Sequence, residues 1–167
     1  WMSATADPEW LDTVDFKPMR KSIRLIRLDD KDHAHPVVHK RVYAQKITQP
    51  KPGVWLVDFG VGIAGRINLS LSGTAGTTIT IKYGEKLNTD GTLDQRELAR
   101  FIRSGSTQTD RYILKGAATE TWSPRFVYHG FQFAEITGFH GQLTEANISA
   151  EVLNTNFENA GAFHSSN

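Results

Sequence analysis

The sequence predicts an all-β fold, an antiparallel β-sandwich or jelly roll with little helix. Three observations carry this. Apolar and polar residues alternate strictly in RINLSLS (66–72) and TTITIKY (77–83), the period-2 pattern of strands with one buried and one wet face. Turn signals built on Gly, Pro, Asn and Asp recur along the chain. Helical periodicity is confined to one short stretch. About seven or eight short strands spaced in this way pack as two layers around one core.

Residues 1–35 are the least regular part. Trp1, Trp10 and Phe16 are scattered among Asp, Pro and Lys, SIRLIRL (22–28) offers one short strand with mixed faces, and DDKDHAHP (29–36) reads as a polar loop. Extended character resumes over 37–49, where Val42, Ala44, Lys46 and Thr48 alternate with Tyr43, Gln45 and Ile47. This suits one partly exposed edge strand. QPKPG (49–53) breaks it, because proline fixes φ and removes a donor. In VWLVDF (54–59), Trp55, Val57 and Phe59 share one face and Val54, Leu56 and Asp58 the other. Gly60, Gly62 and Gly65 then predict a turn or bulge. Ile67, Leu69 and Leu71 point inward in the next strand, and Ile79, Ile81 and Tyr83 in the one after the turn at 73–76. The expectation is that these two strands pair with each other.

Residues 85–108 make a long excursion that contains a turn at TDG (89–91) and a short helix over LDQRELARFIR, with Leu98, Phe101 and Ile102 clustered. A connection of this length is usually functional or packs on a neighbour. TDRYILKG (109–116) is a further strand. In SPRFVYHGFQFAEITGF (123–139), Phe126 and Tyr128 have one parity and Phe131 and Phe133 the other. A single core face then requires a bulge near His129–Gly130, which is the favoured expectation; a strand covered on both faces requires none. ANISAEVLNTNF (146–157) closes the series.

Composition narrows the chemistry. A chain of 167 residues is one domain, with room for an appended tail. The formal net charge of +1 gives no electrostatic footprint for nucleic acid or an anionic membrane. No apolar run approaches the roughly 18 residues of a membrane span, and WMSATADPEW lacks the regions of a signal peptide. The absence of cysteine excludes disulfide and thiolate chemistry and leaves the cytoplasm, periplasm and exterior open. Asp29, Asp30, Asp32, His33, His35 and His39 form a His/Asp cluster whose H-A-H spacing could serve a metal, but a solvated loop is the favoured reading. Glu85, Asp90, Asp94, Glu97 and Glu120 lie in polar or turn contexts and read as hydrated surface carboxylates. Glu85 stands apart because it follows a strand and a Gly at a sheet end. No G-x-S-x-G elbow or phosphate loop is present, and GVGIAG (60–65) lacks both the third-Gly spacing and the βαβ context of a dinucleotide loop. Trp55, Trp122, Tyr128, Phe131 and Phe133 are candidates to stack on sugar rings, although their alternation fits a sandwich core better.

Three strings, PKPGVWLVDFGVGIAGRINLSLSGTAGTTITIKYGEKLNTDGTL (50–93), QTDRYILKG (108–116) and ETWSPRFVYHGFQFAEITGF (120–139), together resemble the concanavalin-like β-sandwich domain of bacterial-type α-L-rhamnosidases. The match covers 36–157, and the order and spacing of several motifs make it specific. It departs from the family at Val61 and Gly62, where a polar Gln-Asn pair is frequent. The resemblance implies a large modular enzyme with a jelly roll before this domain and an (α/α)6 barrel after it. Acidic residues in the barrel invert the anomeric centre, one as acid and one as base. Residues 1–35 are then the tail of a preceding domain or a linker, and 158–167 lead toward the barrel. The resemblance implies no catalytic residue, metal or cofactor site in this chain. It makes Glu85, Asp90 and His129 interdomain or site-rim contacts, and implies neighbouring domains and a rhamnosylated glycan as partners. The alternative role is an independent carbohydrate-binding module.

Overall fold

The computed structural model describes residues 35–100, 102–103, 106–157 and 161–165. The strand expected at 22–28 lies outside them. The elements run β1 (Pro36–Tyr43), β2 (Lys46–Lys51), β3 (Val54–Leu71), β4 (Thr78–Gly84), β5 (Lys86–Leu87), β6 (Leu93–Asp94), a one-turn helix α1 (Arg96–Ala99), β7 (Thr109–Ile113), β8 (Glu120–Trp122), β9 (His129–Thr137), a 3-10 turn (Glu145–Asn147) and β10 (Ile148–Thr155). One sheet has the order β1-β10-β3-β9-β4-β7, with β2 and β8 also paired to β3, and β5 and β6 form a separate small ladder. Every pairing is antiparallel.

The 18-residue β3 is the spine. Its first part pairs with β2 and β9, and its last part with β10 and β8. The sheet curls so that the inner faces of both parts share one core, in which Val57, Phe59, Ile67, Ile79, Ile81, Tyr83, Ala134, Ile136 and Ala150 have no exposed surface. Phe131 lies edge-on to Phe59 at 5.7 Å and to Tyr83 at 4.9 Å. Each buried Val, Ile or Phe among them contributes about 1.5–3 kcal/mol. The ends of the domain meet at the β1/β10 edge: Pro36 pairs with Thr155, and Asn156 N donates to His35 O at 3.1 Å.

The structure corrects several expectations. The edge strand over 37–49 is two strands, divided at the buried Ala44, with Gln45 N donating to Asp58 O at 2.8 Å. Strand β2 continues through Pro50, tolerated because a register shift against β3 falls between Thr48 and Lys51 and β2 pairs on one side only. Of the turn or bulge expected at the glycines after Phe59, the structure has the bulge, and the strand runs on through it. The glycines make an irregularity in which Asp58 faces Phe133 and Ile63 faces Phe131, leaving surplus residues on β3. Gly60 has φ +72, which suits the kink.

The expected pairing of 66–72 with 77–83 is absent, because β9 lies between β3 and β4. Ala134 of β9 pairs with Val57 on one side and Tyr83 on the other, and Ile136 with Trp55 and Ile81. The inward faces were read correctly, but alternation fixes a face and not a neighbour. The parity change among the aromatics likewise needs no bulge at His129–Gly130. Phe126 and Tyr128 precede β9 and are 91% and 65% exposed, and the register break sits opposite Phe131–Phe133. The helix is a single turn with no buried residue; Ile102 is exposed, and Phe101 lies outside the described residues.

Glu120 closes the far edge of the sandwich, and it is a buried residue, not the hydrated carboxylate its context suggested. It accepts from Tyr112 Oη at 2.6 Å and from the amides of Lys115, Gly116 and Ala117 at 2.8–3.1 Å. Trp122 stacks on Tyr112 at 5.0 Å. These contacts join β8 to β7. Burial pushes the Glu120 pKa up, but the hydrogen bonds from Tyr112 and the three amides outweigh it and bring it to about 2.

Two stability outcomes follow from this geometry. Gly138 has φ +85, and a Cβ there would collide with the Thr78 carbonyl oxygen, whereas Gly76, also at φ +85, has open space. Gly138→Ala is expected to cost about 2 kcal/mol or more and Gly76→Ala about 1 kcal/mol, measured by urea unfolding. The depressed Glu120 pKa favours the folded state fully above its ordinary value of 4.5, and that advantage is lost as pH falls toward 2. Glu120→Gln is therefore expected to lower the melting temperature at pH 7, with the gap to the parent closing between pH 4.5 and 2. A gap unchanged over that range would refute the assignment.

Candidate functional site

Three of the strings singled out in the sequence meet at the end of β4. Y-G-E supplies Tyr83, T-D-R-Y supplies Asp110 and Y-H-G-F supplies His129. The β4–β7 ladder and the Tyr83 N to Gln108 O bond of 3.0 Å carry Asp110 under the Tyr83 hydroxyl. Tyr83 Oη donates to Asp110 Oδ2 at 2.7 Å, and His129 Nε2 lies 3.2 Å from the same oxygen. A carboxylate only accepts, so His129 carries its proton on Nε2. The Tyr83 and His129 rings are 4.2 Å apart. Burial first, then the charge and hydrogen bond of Asp110, push the Tyr83 pKa far up, so Tyr83 stays a phenol.

The return of the 85–108 excursion is fastened to this cluster. Gln95 Nε2 donates to Tyr83 O at 2.8 Å and to Thr107 O at 3.0 Å, and Gly130 N donates to Gln108 Oε1 at 3.0 Å. Gln108 is held at φ +36, a strained backbone for a residue with a side chain, costing about 1–3 kcal/mol that these bonds offset.

The three residues marked from sequence have separate surroundings, and no hydrogen bond or ion pair joins any two of them. Glu85 is exposed just past β4. Asp90, at the tip of the β5–β6 hairpin, pairs with Lys51 Nζ at 2.7 Å and accepts from Thr92 Oγ1 at 2.6 Å. The Lys51 hydrogen bond, followed by those from Thr92, holds its carboxyl well below the usual range. His129 is largely buried in the cluster above. Tyr83 was legible from sequence only as a core residue, and Asp110, Gln95 and Gln108 were missed. Their signal was the recurrence of tyrosine, aspartate and histidine at the ends of strands that prove to be neighbours. Of the cation candidates, Asp29, Asp30, Asp32 and His33 lie outside the described residues, and His35 and His39 are exposed. Among the described residues no group of three or more acidic or imidazole side chains is placed to hold a metal.

Other carboxylates act as ties. Glu151 accepts from Arg66 Nε at 2.9 Å and Arg41 Nη2 at 3.2 Å, spanning β3, β10 and β1. Glu135 accepts from Leu93 N at 3.0 Å and so holds the β5–β6 hairpin against the outer face of β9. Asp94 is brought to about 2 by the Arg96 side chain and amide. The shifted carboxylates thus all move down, whereas a general acid working near neutral pH needs its pKa raised.

On the outer face, Lys46 of β2, Asp58 of β3 and Phe133 of β9 lie in one cross-strand row, and Thr48 and Leu56 are paired beside it. Together with Leu87 of the hairpin they line a groove of about 300 Å3. Asp58 Oδ1 accepts from Gly60 N at 2.7 Å and Gln132 Nε2 at 3.0 Å, which fixes the carboxylate. Phe133 is half-buried, unlike the fully buried Phe131. Of the sugar-stacking candidates, Trp55 and Phe131 belong to the core, Trp122 packs partly buried against it, and Tyr128 is exposed.

Asp110→Asn is expected to destabilise the fold by about 1–3 kcal/mol, because the neutral amide oxygen loses the charge that strengthens the hydrogen bonds from Tyr83 and His129. Urea unfolding at pH 7 measures the loss. An unchanged midpoint would show that the cluster does not hold the excursion.

Comparison with known proteins adds the lineage. Residues 48–154 match the family model described as the bacterial alpha-L-rhamnosidase concanavalin-like domain. An alpha-L-rhamnosidase of Streptomyces avermitilis is 42% identical over 118 residues, which is 71% of this chain and 11% of that protein. One from Formosa agariphila is 35% identical over 130 residues, 73% of this chain and 13% of that protein. The chain thus spans only about a tenth to an eighth of the length of these relatives. Among solved structures, that of the Streptomyces avermitilis alpha-L-rhamnosidase complexed with L-rhamnose superposes with a TM-score of 0.67 at 40% identity, over 74% of this chain and 12% of that one. That of the alpha-L-rhamnosidase from Dictyoglumus thermophilum gives 0.70 at 33% identity, over 81% and 15%. The chain therefore belongs to the family of bacterial alpha-L-rhamnosidase concanavalin-like domains.

Proposed function

We propose that this chain is the non-catalytic β-sandwich domain of a larger inverting α-L-rhamnosidase, in which it acts as an interdomain scaffold and forms part of the active-site rim. The observation that carries the reading is the family match over 48–154 in a chain that spans only 11–17% of the curated relatives it matches. The described carboxylates support it. Glu120, Glu135, Glu151 and Asp110 each accept hydrogen bonds that hold strands or the excursion in place. In this reading the sandwich spans 36–157, its flanking segments are linkers, and the acid and base lie in a neighbouring domain. Glu85 and Asp90, at the sheet end and the hairpin tip, are the contacts offered to that domain, and His129 holds the excursion from behind. The substrate of the whole protein is a rhamnosylated glycan or glycoside.

The test compares two proteins. The purified 167-residue chain is expected to release no L-rhamnose from an aryl α-L-rhamnoside. The full polypeptide of the native gene is expected to release it with inversion, seen by following the anomeric proton. In that polypeptide Glu85→Lys is expected to lower the melting temperature by a few degrees, as a lost surface contact does. Turnover by the short chain, or no rhamnoside hydrolysis by the long one, would overturn the reading.

A further inference from the structure

The scaffold role leaves the groove over β2, β3 and β9 without a task. Lys46, Thr48 and Asp58 supply its polar groups, and Leu56, Leu87 and Phe133 its apolar ones. Small-ligand sites commonly combine an apolar lining with a few fixed polar groups, and a volume of about 300 Å3 is at the small end of their range.

We propose that this groove binds one 6-deoxyhexopyranose residue, with the ring against Phe133, the hydroxyl edge toward Asp58 and Lys46, and the methyl edge toward Leu87. The choice of a 6-deoxy sugar rests on the rhamnosidase reading above; the argument for a sugar rests on the groove itself. The two hydrogen bonds to Asp58 engage Oδ1 and leave Oδ2 as a fixed acceptor for a hydroxyl. Lys46 is its cross-strand neighbour yet forms no ion pair with a described residue, so its ammonium is a free donor. One carboxylate and one ammonium side by side balance in charge and favour a neutral, hydroxylated ligand over an anion or a cation. Phe133 makes no ring contact with another described aromatic residue, and its half-buried ring offers an apolar surface for the C–H face of a pyranose. The hairpin wall is tied down by the Lys51–Asp90 pair at 2.7 Å and the Leu93–Glu135 bond at 3.0 Å. The site is therefore built before a ligand arrives, which keeps the ordering cost of binding low.

The experiment titrates the isotopically labelled chain with L-rhamnose and with L-mannose, which differs by one hydroxyl on the methyl carbon. L-rhamnose is expected to give saturable amide shifts at Thr48, Gly60, Gly91 and Gln132, and L-mannose to bind about tenfold more weakly. Asp58→Asn is expected to weaken L-rhamnose binding about tenfold or more. Lys46→Met, at an exposed position, is expected to weaken it while leaving the melting curve unchanged, and it decides the matter if Asp58→Asn fails to fold. No saturable shift, shifts confined to other surfaces, or no loss of affinity in Lys46→Met would each overturn the site. Equal affinity for the two sugars would overturn the placement of the methyl edge. All of these results are independent of whether the full polypeptide hydrolyses rhamnosides, so failure of the groove and failure of the family role are told apart.

Discussion

The fold depends on the pairing capacity of one strand. β3 makes ladders with β2, β8, β9 and β10, and no other strand among the described residues joins so many partners. A straight strand has two edges and holds two neighbours along its whole length. β3 holds four because it is long enough to change partners partway, and because the surplus at 59–62 lets it change direction. Phe59 and Ile63 are buried on either side of that kink, while Val61 between them is half-exposed. The kink is thus an outward loop of backbone pinned by core contacts at both ends. Removing its surplus would restore straight pairing with β9 and pull the two parts of the sheet out of their shared core.

Much of this was legible in the sequence, and the limits have a physical cause. The inward sets Ile67–Leu69–Leu71 and Ile79–Ile81–Tyr83 were read correctly, because the period of a strand maps residues to faces. Their supposed mutual pairing failed, because nothing in a local pattern says which strand lies alongside. The true neighbours are β10 and β8 for the first set and β7 and β9 for the second, and β9 lies about fifty residues beyond β4 along the chain. Phe126 and Tyr128 look like core residues by type but are exposed in a segment whose anchors are Pro124 and Ser123, through Arg66 Nη1 to Pro124 O at 2.7 Å and Ser123 Oγ to Ile67 O at 2.9 Å. Glu120 misled in the opposite direction. Its burial depends on a turn of three amides contributed by neighbouring residues, which composition does not reveal. That Leu56 and Asp58 share one face was correctly read, yet the groove they line forms only when β2, β9 and the hairpin are added.

The polar ties explain how a sandwich without cysteine holds its long connections. Glu135 and Asp90 fasten the hairpin, Gln95 and Gln108 fasten the return of the excursion, and Glu151 crosses three strands with two arginines. Each tie links residues far apart in sequence, and the buried ones cannot be cut on one side without leaving an unpaired group. The ties therefore hold the hairpin and the return of the excursion against the sheet without any covalent cross-link.

The meeting of Pro36 and Thr155 at one edge has a mechanical consequence. Tension applied through residues 35 and 156 pulls on two antiparallel neighbours from the same end. Such a load opens a ladder one rung at a time, as a zipper opens, and never stresses all the rungs of β1 and β10 together. The bonds resist in succession, so the edge peels at modest force while the β3–β9–β4 centre remains shielded from it. A module loaded in this way can follow small displacements of whatever adjoins it by fraying and resealing β1, without exposing the core that Phe59, Tyr83 and Phe131 share.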